Sequence, residues 1–209
     1  MDDAAPIDNP AVATLAGREL AWKCGAWTTL PVAAKESDDG GLLVTAAEGS
    51  DAWRHTGYGF VHEDEHALLD DWDRGSAVEV RFVAAFEAQF DQAGLMIRVD
   101  AEHWIKAGVE FADGAPQVGA VVTAGKSDWS VAPVPEWAGR EVTIRASRLE
   151  DAVIVRARVE EEPWRLVRLA PLDPAASAQA GPYCCAPSRA GLTVAFTSWR
   201  LTEPDAALH

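Results

Sequence analysis

The sequence has no apolar run of about eighteen residues, the length a membrane-spanning helix needs, so no helical span is expected. Its first residues, MDDAAPIDNPAV, are acidic and lack the basic and apolar regions of a secretory signal. Positive charge is scarce: 18 Lys and Arg stand against 33 Asp and Glu, a formal net charge of -15. That balance argues against nucleic acid or an anionic membrane as partner, since both are held by clustered cations. Cysteine is scarce too, at three residues: Cys24, Cys184 and Cys185. Neighbours in an extended strand point to opposite faces, so Cys184 and Cys185 pair poorly. Reduced thiols in a cytoplasmic protein are the expectation. No second ligand pair has metal spacing, so no metal or cofactor is expected.

Helical periodicity is also scarce. In its place stand short runs rich in Val, Ile, Phe or Trp, bounded by turn residues. They are Gly41 to Ala47, Gly57 to Val61, Ala77 to Phe86, Gln92 to Val99, Trp104 to Phe111, Gln117 to Thr123, Glu141 to Ala146, Ala152 to Val159, Trp164 to Leu169 and Gly191 to Leu201. So many strands without helical spacers predict an all-β sandwich or barrel. Pro171 to Gln179 reads as one short helical turn, and Glu203 to His209 as a frayed tail. With 48% hydrophobic residues and no linker or repeat, residues 1–209 read as one domain.

The stretch FDQAGLMIRVDAEHWIKAGVEF, residues 90–111, alternates like two strands. Ala93, Leu95, Ile97 and Val99, then Ile105, Ala107, Val109 and Phe111, belong against the opposite sheet. The other face carries Gln92, Gly94, Met96, Arg98, Trp104, Lys106, Gly108 and Glu110. Two hairpin registers keep even positions facing even ones. One sets Arg98 against Lys106, a like-charge pair that costs stability. The other sets Arg98 against Trp104, Gly94 against Gly108 and Gln92 against Glu110. The second is preferred, because a guanidinium over an exposed ring gains about 0.5–1 kcal/mol. It leaves a glycine floor rimmed by polar groups, the outline of a ligand groove.

These residues carry a resemblance. FDQAGLMIRVDAEHWIKAGVEFADGAP and VVTAGKSDWS resemble the DUF1349 family, the proteins related to the yeast regulation of enolase protein 1. SDAWRHTGYGFVHEDEHALL, GPYCCAPSRAGLTVAF and LAWKCGAWTTL fit the same pattern, so the likeness spans about residues 15–202. The chain departs from it at His55 and Gly57. The resemblance implies a concanavalin A-like jelly roll of two antiparallel sheets, one of them concave. It supplies no catalytic residues.

Other motifs say less. His62-Glu63-Asp64-Glu65-His66 matches H-E-x-x-H, but zinc-protease chemistry needs it on a helix, and its flanks read as strand, turn, strand. Retaining glycosidases on this kind of fold space carboxylates E-x-D-x-x-E, aimed together at about 5–5.5 Å. No such motif occurs, and Glu110 would need a second carboxylate from elsewhere, such as Asp128. Calcium is known in this fold class, but no ligand set is visible. Lys126 to Ser130 reads as a loop at a cleft mouth, with Asp128 as a hydrogen-bond acceptor and Trp129 as a stacking ring.

The expected function is binding of a saccharide or other small polar ligand. Gln92, Arg98, Lys106, Glu110 and Asp128 would bind through hydrogen bonds, and Trp53, Tyr58, Trp104 and Trp129 by stacking. The alternatives are a sugar-active hydrolase, lyase or epimerase using Glu110 with Lys106 or a histidine, and a regulator that docks a metabolic enzyme as protein partner.

Overall fold

The computed structural model describes residues 17–208. Its strands are β1 (Arg18–Glu19), β2 (Ala26–Trp27), β3 (Ala33–Glu36), β4 (Leu42–Thr45), β5 (Ala52–Arg54), β6 (Val61–Glu63), β7 (His66–Asp71), β8 (Ala77–Val83) and β9 (Gln92–Arg98). They continue as β10 (His103–Ala112), β11 (Ala115–Ala124), β12 (Lys126–Pro133), β13 (Glu141–Arg148), β14 (Ala152–Val159), β15 (Arg165–Pro171), β16 (Gln179–Cys185) and β17 (Thr193–Thr202).

They build a concanavalin A-like jelly-roll sandwich of two large antiparallel sheets. One runs β15-β14-β13-β8-β17-β4-β3, with β1 also on β17; the other runs β12-β11-β10-β9-β16-β7-β2. Between them lies the main core. Val80, Phe82, Ile144, Val155 and Phe196 meet Leu95, Ile97, Ala107 and Val109 there, all nearly or wholly buried. The odd-numbered faces of β9 and β10 thus point inward, as alternation predicts. Trp137 and Trp199 are fully buried in the same core.

Two local expectations fail here. Residues 126–130 are not a loop but part of the edge strand β12. An edge strand has one wet face and tolerates the polar composition that looked like a turn. The stretch 171–179 forms no helix, only a turn in which Ala176 N–H donates to the Asp173 carbonyl. The described part of the C-terminal segment makes contacts with the sheet. Asp205 pairs with Arg145 at 2.9 Å and with Arg156 at 2.8 Å, and Arg156 also donates to the Leu208 carbonyl. His209 lies outside the described residues.

Cys184 and Cys185 separate as expected. Cys184 enters the main core, while Cys185 joins a second apolar cluster on the outer face of the β9-containing sheet. Both thiols are buried and free.

Candidate ligand-binding site

The site is laid out in rows across β12, β11, β10, β9 and β16. The register is the preferred one: Arg98 faces Trp104, Gly94 faces Gly108 and Gln92 faces Glu110. Carried outward, one row reads Trp129, Val121, Lys106, Met96 and Gly181. The next reads Val131, Gly119, Gly108, Gly94 and Tyr183, and the third Pro133, Gln117, Glu110, Gln92 and Cys185. The middle row explains its glycines. A Cβ on Gly94 would lie 2.0 Å from the Ala107 carbonyl oxygen, and one on Gly108 would lie 2.1 Å from that of Ala93. Backbone from the neighbouring strand occupies the space a side chain would need. Lys106 and Glu110 therefore flank a trough, not a row of side chains.

A cap covers part of this face. Strands β5 and β6 pair as a hairpin whose tip runs through His55, Gly57 and Gly59, all at positive φ. The expected strand at 57–61 is mostly this tip, because its glycines take left-handed conformations that a strand cannot use. Ala52 and Trp53 pack on Met96, Trp104, Val121, Tyr183 and Cys185, forming the second cluster. Arg54 pins the hairpin. Its backbone N–H donates to Ser127 Oγ at 2.9 Å, and its guanidinium binds Glu102 at 2.6 Å and also Glu63. On the other side of Trp53, Asp51 Oδ1 accepts from Lys106 Nζ at 2.8 Å.

Between cap and sheet opens a cavity of about 450 Å³. Trp53, Tyr58, Phe60, His62, Phe90 and Trp129 wall it, and Asp51, Gln92, Lys106 and Glu110 supply its polar side. Trp53 meets Trp129 edge to face at 6.4 Å, and Tyr58 at 5.7 Å. A recess of about 20 Å³ beside it lies over Gly108 and Gly119 and shares Lys106, Glu110, Val121 and Trp129 with the cavity.

The two ionisable groups that β10 brings to the cavity differ sharply. Lys106 is 4% exposed, and its ammonium donates to Asp51 Oδ1 and to Gln92 Oε1, each at 2.8 Å. Burial opposes its charge, but Asp51, together with the other groups around it, Glu110 among them, more than offsets this and holds it above the usual lysine range. Glu110 has no such partner: its Oε1 is buried and accepts no hydrogen bond among the described residues. Burial, reinforced by Asp51 and opposed by Lys106, pushes its carboxyl up to about 7. Burial likewise raises the Tyr183 hydroxyl and Cys185 thiol well above their ordinary values, so both stay neutral beside it.

Six of the nine residues named from sequence line this cavity: Gln92, Lys106, Glu110, Trp53, Tyr58 and Trp129. Three do not. Arg98 faces Trp104 in register but turns to the buried Glu65, at 3.2 Å, instead of stacking on the ring. Trp104 is sealed in the cluster beneath the hairpin. Asp128 points to Arg168, at 3.0 Å. Eight lining residues escaped the sequence reading: Gly49, Asp51, Phe60, Phe90, Val121, Pro187, Ser188 and His62, the last considered only as a metal ligand. The H-E-x-x-H stretch is indeed strand, turn, strand, β6 into β7. His66 Nε2 accepts from Ala47 N–H at 2.9 Å and Nδ1 lies 3.1 Å from the Thr29 carbonyl, which makes it a neutral core histidine.

Residues 27–204 match the protein family of unknown function DUF1349. The chain belongs to that family. This DUF1349 chain is 36% identical over 186 residues to the regulation of enolase protein 1 of Saccharomyces cerevisiae, covering 88% of this chain and 93% of that protein. It also superposes on the crystal structure of a functionally unknown protein from Saccharomyces cerevisiae, with a TM-score of 0.82 and 34% identity. That match covers 90% of this chain and all of the other (100%). A xylan β-1,4-xylosidase from Bacillus halodurans matches at a TM-score of 0.62 and 18% identity, over 78% of this chain and 33% of that one. At that identity the likeness to this DUF1349 chain is one of fold. No helix among the described residues is long and apolar enough to cross a membrane.

Proposed function

We propose that the protein binds a saccharide or another small polar ligand in the cavity between the β5–β6 hairpin and the glycine trough. One observation carries this reading: aromatic rings wall a cavity of about 450 Å³ into which Asp51, Gln92, Lys106 and Glu110 also project polar groups. A pyranose has apolar C–H faces that stack on rings and hydroxyls that need polar partners. The volume falls within the range of about 300–1,000 Å³ usual for small-ligand sites. The free cysteines support a cytoplasmic setting.

The test is a saccharide panel read by tryptophan fluorescence, since Trp53 and Trp129 both line the cavity. A saturable change with one sugar class, lost in Trp129→Ala, supports binding. A flat response across the panel removes it.

Two other readings have support of their own. Glu110, with a carboxyl near 7, suits proton transfer on a bound sugar. Product formation that disappears in Glu110→Gln while binding persists would make the protein an enzyme. The name of the yeast relative supports a regulatory role toward a metabolic enzyme. Retention of purified enolase by the immobilised protein would support that role, and lack of retention would remove enolase as the partner.

A further inference from the structure

The cavity's charges restrict what it can accept. Its one ammonium, on Lys106, is already shared between Asp51 and Gln92. The nearby guanidinium groups are engaged elsewhere, Arg98 with Glu65 and Arg54 with Glu63 and Glu102. An anion entering here would meet the carboxylate of Asp51, the carboxyl of Glu110 and a cation with its partners in place. Glu110 Oε1 is the one acceptor on the polar side that is buried without a partner among the described residues. The recess at its side, about 20 Å³ over Gly108 and Gly119, has room for one hydroxyl-sized group.

No group around Glu110 donates to its Oε1 among the described residues. Gln92 and Gln117 face it across β9 and β11 and are uncharged, and the Gln117 amide donates to the Ala112 carbonyl. Tyr183 and Cys185 on β16 stay protonated, His62 on β6 lies at the cavity wall, and Asp51 repels it. A buried acceptor in this position is satisfied by a ligand that brings the donor.

Resting on the binding reading above, we propose that the ligand carries no negative charge, seats an O–H or N–H donor against Glu110 Oε1, and expels a proton from Glu110 on binding. A donor stabilises the carboxylate over the carboxylic acid, so occupancy and ionisation are linked. No covalent step is involved. The proton passes to buffer, and the ligand's donor takes its place.

The experiment is titration calorimetry of the full chain with three probes: methyl β-glucopyranoside, glucosamine and glucuronate. Each is run near pH 7 in phosphate and in Tris, which differ in ionisation heat. For the glycoside or the amine, roughly half a proton should be released per ligand near pH 7, given a free carboxyl titrating at about 7. Affinity should fall about tenfold per pH unit below that point. Glu110→Gln should abolish both effects, and the wild-type profile stands as a test even if that variant folds poorly. Preferred binding of glucuronate, or binding with proton uptake or no proton change, overturns this proposal and leaves the binding reading intact. Absence of heat with all three probes overturns the binding reading, and this proposal with it.

Discussion

Lys106 Nζ lies 2.8 Å from Asp51 Oδ1, a contact that ties the floor of the cavity to the segment carrying its cap. Replacing Lys106 by Met leaves Asp51 and Gln92 Oε1 without their cation. Asp51 keeps some contact with water, its side chain being 20% exposed. Lys106→Met should therefore cost about 3 kcal/mol, toward the low end for a broken buried pair. Urea denaturation of Lys106→Met, Asp51→Asn and the double variant checks it: the double variant should lose less than the sum of the singles.

Glu110 gives stability a pH slope. Its carboxyl sits near 7 when folded, against an ordinary value of 4.5. Below about pH 4.5 both folded and unfolded chains hold the proton and no penalty exists. Between the two values the folded chain keeps a proton that the unfolded chain has lost, so stability falls as pH rises. Above about 7 the loss is complete, up to about 3 kcal/mol. Glu110→Gln should thus gain stability over wild type at pH 8 and little at pH 4. Equal gains at both pH values would contradict this.

The trough tolerates no side chain. In Gly108→Ala the new methyl would sit 2.1 Å from the Ala93 carbonyl oxygen, and backbone cannot rotate away as a side chain can. A loss of about 3 kcal/mol or more is expected. Thermal melting read by circular dichroism measures it, and Gly114→Ala is a useful contrast because it meets strain but no clash.

Trp129 should separate binding from folding. It is 39% exposed and belongs to the edge strand β12. Trp129→Ala should cost about 1 kcal/mol or less in stability. It should weaken any saccharide that binds the cavity about tenfold. Parallel denaturation and binding titrations check the split.

The C-terminal segment should respond to acid. Burial works against the ionised Asp205, but Arg156 and Arg145 prevail and hold it below the usual carboxylate range. The stability it contributes is therefore present above the ordinary 3.8 and lost as pH falls through the lower folded value. Asp205→Asn should cost about 1–2 kcal/mol at neutral pH and progressively less on acidification. Denaturation midpoints of the two proteins should converge at low pH.

Much of the sheet was legible from side-chain alternation. The faces of residues 92–98 and 104–110 follow from a period of two, and like-charge repulsion between Arg98 and Lys106 selects the register found. What escaped were contacts between residues distant in sequence. Asp51 reaches Lys106 across 55 positions, and Arg145 reaches Asp205 across 60, with nothing local to mark either. Arg98 shows the same limit. Its opposing ring was read correctly, but Glu65, 33 positions away, offers a full charge that outweighs a ring face. Tyr183 and the hairpin cap went unseen for a further reason: alternation says which way a strand faces, not what folds over it.

The hairpin and the trough answer to different constraints. The floor residues on β9, β10, β11 and β16 share strands with the main core, so altering them risks the whole molecule. The segment carrying Tyr58 and Phe60 instead hangs from anchors at Asp51 and Arg54, with a tip at whose glycines an added Cβ would meet nothing within 4 Å. That arrangement makes recognition separable from architecture. New specificities could be grafted by rewriting the tip alone, much as an antibody changes its target while keeping its framework.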